Sequence, residues 1–361
     1  MFRYSQLKEV HLEITNNCQA SCPMCARNLN GGVENPLIKI KNWTLDEFKT
    51  IMSESVLKQL DGFFFCGNFG DPIINKDLID MCRYTTAVNP NLKVRVHTNG
   101  SARTPEWWKE LAQALPKMHS VIFALDGLAD THHLYRVGTD FDTIIKNAQA
   151  FIQAGGQAEW CFIRFKHNEH QVDIARQMAK DLGFDTFTIK DSARFILEPK
   201  IDVVDRKGDV THIIEPASDI PLKFIDRKVI QSYKKILDAS VIDCQAYNQK
   251  EVYIDAYRNV FPCCWLASAP YTFIEQGNEA TSIKTEMLNQ YHDLVHSLGG
   301  LDKLNAIDYT LEEIVDSKEY QTVWEEYWTT KKLITCARTC GRAEISDFAK
   351  SRDQQRDVIK L

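Results

Sequence analysis

Six short apolar runs recur along the first half of the chain, each followed by helix-compatible sequence. Residues 10–14, 62–66, 94–97, 121–125, 161–165 and 186–189 read as strands from their alternation and their aromatic and β-branched content. Thr44 followed by Glu47 is a capping signal that opens a helix over 44–60. Gly155-Gly156 ends another over 142–154, and Gly183 a third over 171–182. Repeated βα units predict a parallel sheet or barrel up to about residue 190. The strand ends carry the unusual residues: Cys18, Gly70-Asp71-Pro72, Asn99-Gly100 and Asp126-Gly127. The C-terminal ends of parallel strands are where βα barrels place their chemistry.

Eleven cysteines in 361 residues constrain the chain next. No apolar run reaches the roughly 18 residues of a membrane span, and the first residues lack a basic-then-apolar secretory signal. The expected compartment is the cytoplasm, where thiols stay reduced and clustered cysteines read as metal ligands before disulfides. Cys18, Cys22 and Cys25 fall in a C-x3-C-x2-C loop directly after the first strand, with Pro23 inside it. Such a loop can wrap three thiolates around one polynuclear centre. Three thiolates satisfy three irons of a 4Fe-4S cube and leave the fourth open. A four-cysteine zinc site would need a fourth ligand that the loop lacks.

This spacing, with a glycine-acid-proline turn ending the second strand, resembles the radical S-adenosylmethionine (SAM) superfamily over residues 8–190. The resemblance implies a partial (β/α)6 TIM-like barrel. It also implies an open iron chelated by SAM, and reductive cleavage to a 5′-deoxyadenosyl radical that takes a hydrogen atom from substrate. Phe69-Gly70-Asp71-Pro72 resembles the family turn that meets the SAM amino group, with Phe69 for its first glycine and Asp71 for its glutamate. Met24 stands where the family backbone meets the adenine. Asn99 lies in a Thr-Asn-Gly segment like the family's, and Asp126 in a Leu-Asp-Gly segment with Ala124 for the usual serine. Arg136 follows His132-His133 in a segment whose arginine approaches the SAM carboxylate, a task suited to a planar, permanently charged fork. Taken locally, Gly70 and Gly100 also fit ordinary turns and Asp126 a helix cap. His132, His133, His167 and His170 read as structural or surface residues.

A second group comprises Cys244, Cys263-Cys264, Cys336 and Cys340. Residues 251–262 alternate like a hairpin with a turn near 256–259, which brings Cys244 and Cys263 together. Four converging thiolates make either a second 4Fe-4S cluster or a zinc site. The pattern resembles the twitch and SPASM extensions of radical SAM enzymes, which bind auxiliary clusters. That implies a small α+β domain over 243–361, joined by a connector (191–242) to the barrel (1–190). Cys263 follows Pro262 as in the family pattern and is preferred to Cys264. Asn259 takes the place of the family's hairpin glycine. Cys66, Cys82 and Cys161 read as buried spare thiols, and residues 267–303 as a lid or helical insertion. A helix over 311–328 carries Leu311, Ile314, Tyr320, Trp324 and Trp328 on one apolar stripe.

The charge balance, 43 Lys+Arg against 49 Asp+Glu, weighs against a nucleic-acid partner. The expected substrate is a small metabolite, with a peptide or protein side chain as the alternative; only about ten residues precede the first strand, which weighs weakly against a peptide. A non-catalytic iron–sulfur protein would want four ligands at the first loop. The resemblance further implies a flavodoxin- or ferredoxin-type electron donor.

Overall fold

The structure, a computed structural model, describes residues 1–192, 194–195, 200–220, 237–272, 282–342 and 357–361. The six expected strands form: β1 (Glu9–Leu12), β2 (Gly62–Phe65), β3 (Lys93–Thr98), β4 (His119–Ala124), β5 (Ala158–Arg164) and β6 (Thr186–Asp191). They pair in parallel and in sequence order, so each βα unit lies beside the next. This is the α/β parallel sheet of a partial barrel.

Alternation assigns the two faces of this sheet. Val10, Phe63, Val94, Val121, Trp160 and Phe187 are all at most 1% exposed. They pack outward on the helices, as where Phe48 meets Phe63 and Trp108 meets Phe123. The residues between them turn into the barrel and are largely polar. His11 stacks on Phe64 and meets Tyr253 edge-on, while Arg95 lies over Phe64 and pairs with Glu9. A polar interior reserves that side of the sheet for something other than packing.

Local signals shape the helices. Thr44 and Glu47 form a reciprocal capping box, but the helix stops at Leu45–Ile51 and a second runs over Glu54–Gln59. Asp140 caps the helix Phe141–Gln153, and Gly183 ends Val172–Leu182 in the left-handed conformation (φ +86°), which costs glycine least.

Three features depart from the sequence reading. The stretch read as connector contains a hairpin, β7 (Ile201–Val204) with β8 (Val210–Ile214). It lies over the first cysteine loop: a Cβ on Gly31 would lie 3.2 Å from Val203, and the Val204 N–H donates to the Asn30 carbonyl. The downstream hairpin, β10 (Glu251–Ile254) with β11 (Val260–Phe261), joins the main sheet, β10 running parallel to β1. β9 (Val241–Ile242) pairs with β12 (Gly341–Arg342), and β13 (Asp357–Lys360) closes the other edge against β6. Finally, the 311–328 stripe is carried by two helices, Leu311–Val315 and Lys318–Thr329, with Leu311, Ile314, Tyr320 and Trp324 buried. Pro199, Pro221 and residues 273–281 of the 267–303 stretch lie outside the described residues. A helix follows at Ser282–Ser297. Among the described residues no helix is long and apolar enough to cross a membrane.

Candidate functional site

The first cysteine loop leaves β1 and folds back on itself through tight turns. The Cys25 N–H donates to the Cys22 carbonyl, and the Asn28 N–H to the Cys25 carbonyl. Arg27, 4% exposed, braces the loop from beneath, donating to the carbonyls of Cys18 (2.5 Å) and Ala20 (3.4 Å). Each cysteine also faces a residue from the βα loops at this end of the sheet. Asn99 Nδ2 reaches Cys18 Sγ at 3.5 Å, Arg136 Nη1 reaches Cys22 Sγ at 3.9 Å, and Cys25 Sγ lies 3.9 Å from the Asn68 carbonyl. Burial raises the Cys18 and Cys22 thiols above the ordinary range, while Arg136 pulls Cys22 back down. Thiols so placed ionise when a metal centre supplies the positive charge, and the N–H donors around them suit bound thiolates.

The polar strand-end residues gather around this loop. Asp71 is 5% exposed and accepts from the Asn99 N–H (2.7 Å) and the Ile73 N–H (3.2 Å). Its burial pushes the carboxyl up to about 6 against those hydrogen bonds. The turn before it is sterically closed: a Cβ on Gly70 would sit 1.9 Å from the Thr15 carbonyl oxygen. Asp126 is fully buried and binds Arg136 Nε at 2.6 Å, its other oxygen accepting from the Ile163 N–H at 2.6 Å. It is therefore no helix cap; Thr131 precedes the short helix there. Met24 has its carbonyl bonded by Arg194 and its sulfur facing Ser192 Oγ.

The histidines are structural. His132 accepts from the Asp126 N–H and contacts Thr139. His167 stacks on Phe165, and His133 and His170 are exposed.

The second cysteine group surrounds a cavity of about 90 Å³ lined by Cys244, Cys263, Cys264, Cys336 and Cys340. Cys336 and Cys340 share one face of the helix Ile334–Cys340 at a spacing of four residues. Cys244 hydrogen-bonds Cys340, and the Trp328 indole bonds Cys336. Cys263 interacts electrostatically with Cys244, Cys336 and Cys340. Cys264 lines the cavity as well, and beyond Cys263 it interacts with Cys66, Glu251 and Glu13 on the barrel side. Among the described residues no three His, Cys, Asp or Glu side chains meet closely enough for a single metal ion.

Cys82 and Cys161 are buried, whereas Cys66 is partly exposed at the mouth of the barrel. At the hairpin turn Asp255 accepts from the N–H groups of Tyr257 and Asn259, and Arg258 rather than Asn259 takes the positive φ. Sequence reasoning overlooked Glu13 and Asn68. Asn68 Nδ2 donates to the Cys264 carbonyl (2.9 Å) and to the Tyr253 hydroxyl (3.2 Å), so the turn after β2 touches the segment that carries Cys263. The signal for Glu13 was a carboxylate at the end of a strand that is otherwise buried.

Residues 12–176 match the Radical SAM superfamily. Those residues therefore form a radical SAM domain, the mark of an enzyme of that class. The resident cofactors that such a domain implies are a 4Fe-4S cluster and SAM; three clustered thiols, one buried and two partly exposed, with Asn99 and Arg136 donating to two of them, fit such a cluster. The chain also resembles the tungsten-containing aldehyde ferredoxin oxidoreductase cofactor-modifying protein of Pyrococcus furiosus, at 22% identity over 96% of this chain and 91% of that one. Its fold is shared with Streptococcus suis SuiB bound to S-adenosylmethionine (TM-score 0.50, 12% identity, 88% of this chain and 67% of that one). It is shared equally with native anSMEcpe with bound AdoMet (TM-score 0.51, 14% identity, 92% and 89%).

Proposed function

We propose that this radical SAM enzyme acts on a small metabolite or cofactor and carries two iron–sulfur clusters. When bound, the first cluster supplies the electron that cleaves SAM, giving a 5′-deoxyadenosyl radical that takes a hydrogen atom from substrate. Cys18, Cys22 and Cys25 hold that cluster. Gly70, Asp71, Asn99, Asp126 and Arg136 shape the adjoining SAM site, with Met24 beside the adenine. Arg136 is the group suited to a carboxylate, because Asp126 holds its Nε side and leaves the rest of the fork toward Cys22.

The observation that carries the second-cluster reading is the cavity onto which Cys244, Cys263, Cys336 and Cys340 converge. Thiolates around one zinc lie roughly 3.8 Å apart, as Zn–S bonds of about 2.3 Å require. A cube gives each thiolate its own iron and so spreads the sulfurs further. Four cysteines on a shared cavity can give each iron of such a cube its thiolate, and metal content separates the two. The polar barrel interior, with Lys190 bonded to Cys161, supplies the hydrogen-bonding groups that a small polar substrate needs. The similarity to a cofactor-modifying protein along nearly the whole chain supports that substrate class.

Anaerobic reconstitution tests the reading: about eight irons per chain are expected, and about four irons with one zinc would refute the second cluster. Deuterated candidate substrates identify the substrate class. Label is expected to pass from a small molecule to 5′-deoxyadenosine; transfer from a peptide instead would overturn the small-molecule assignment.

A further inference from the structure

Three consecutive backbone N–H groups of the turn after β2, those of Phe69, Gly70 and Asp71, are committed, the first two to one carboxylate. Glu13, 2% exposed, accepts through Oε1 from the N–H groups of Phe69 (2.8 Å) and Gly70 (3.2 Å). Its Oε2 accepts from the Tyr253 hydroxyl at 2.6 Å. Gly67 completes the wrap: a Cβ there would lie 2.9 Å from Glu13 Oε1. The next N–H, that of Asp71, is taken by the Asn17 carbonyl at 2.9 Å.

With these amides consumed, what the turn presents toward the first loop is carbonyl oxygen. Carbonyl oxygens only accept, so their natural ligand is a donor, above all a cationic ammonium. One of them, that of Asn68, already faces Cys25 of the first loop. Asp71 is tied up as well, with both carboxylate oxygens taken by backbone N–H groups.

We propose that Glu13 is a positioning residue that shapes the 67–70 turn into an acceptor-only surface for the ammonium group of SAM. The inference rests on the reading that this turn borders the SAM site. Glu13 makes no contact with the ligand; it acts by fixing which backbone atoms the turn presents.

The test compares anaerobically reconstituted wild type with Glu13→Met, which fills the same volume without acceptors, Glu13→Ala, and Glu13→Gln. The Gln variant keeps a carbonyl oxygen for the two N–H groups. Iron content, equilibrium SAM binding and amide hydrogen exchange over residues 66–72 are measured in each. SAM is expected to protect 66–72 in the wild type. Glu13→Met and Glu13→Ala should retain iron, bind SAM about tenfold more weakly (roughly 1.4 kcal/mol) and lose that protection. Glu13→Gln should stay within about twofold. Wild-type SAM affinity in an iron-loaded Glu13→Met variant would overturn the role of Glu13, as would a Gln variant as weak as Met. Absence of protection at 66–72 in the wild type would instead overturn the placement of SAM at this turn, and the inference with it.

Discussion

Removing the Asp126 carboxylate is the sharpest single perturbation of this site. Asp126 has no exposed surface, and its side chain serves two partners at 2.6 Å, the Arg136 guanidinium and the Ile163 N–H. In Asp126→Ala the guanidinium, whose side chain is only 17% exposed, loses its counter-ion, and the Ile163 N–H loses its acceptor. Breaking a buried pair by deleting one partner costs about 3–5 kcal/mol. An orphaned buried N–H adds about 1–3 kcal/mol where water cannot reach it. An expected loss of about 4 kcal/mol in urea unfolding of the metal-free chain is a large share of a domain's total stability. Asp126→Asn keeps an acceptor for Ile163 and should lose only about half as much. The double variant Asp126→Ala/Arg136→Ala removes both charges together, so it should be more stable than the sum of the two single losses by about 2 kcal/mol or more. If Asp126→Ala lay within about 1 kcal/mol of wild type, or the two losses simply added, the pair would not be organising this corner.

Three further outcomes follow from the same structure. Burial raises the Glu13 carboxyl from an ordinary 4.5 to about 7. Its folded state therefore binds the proton more tightly than the unfolded chain does. That contribution to stability, roughly 3 kcal/mol, is fully present below pH 4.5 and lost as pH rises through 7; urea titrations of wild type and Glu13→Gln should differ by this slope, and parallel curves would refute the raised carboxyl. Gly70→Ala places a methyl 1.9 Å from the Thr15 carbonyl, backbone against backbone, so the turn must shift at a cost of about 1–3 kcal/mol. Weakened SAM binding at unchanged first-cluster iron content checks this. Cys336→Ala should remove the second cluster's iron but leave dithionite-dependent cleavage of SAM, whereas Cys18→Ala should abolish that cleavage; retained cleavage in the latter would refute the loop assignment.

What the sequence revealed follows from how local each interaction is. The six barrel strands were legible because alternation decides which side of each strand is buried, and residues such as Phe63 and Phe65 declare it within four positions. Thr44 with Glu47 and Gly183 were legible because caps are settled within one turn of helix. Asp126 looked equally like a cap until tertiary structure paired it with Arg136, ten residues away. The β7–β8 hairpin went unread because prolines and charges obscure its alternation, although Val203 and Ile214 turn inward to Tyr135 and Phe165. The pairing of β10 with β1 joins residues more than 240 positions apart. No local pattern encodes such a contact; both strands simply have a buried apolar face to cover.

That long-range pairing explains how the two cysteine groups are held in one frame. β1 leads into the first loop, and β10 leads through its hairpin to Cys263. Because β11 runs back antiparallel to β10, Cys263 returns to the level of Glu251, and with Cys244 ahead of β10 the second group lies at the end of the sheet opposite the first loop. Asn68 then joins them, its carbonyl at Cys25 and its side chain on the Cys264 carbonyl. Glu13 and Tyr253 lock β1 to β10 beneath that contact. A displacement of the turn after β2 must therefore disturb both cysteine segments, since the packed sheet below leaves no soft joint to absorb it. The second group is built into the wall of the barrel, which is why the polar interior between them is the space that both can reach.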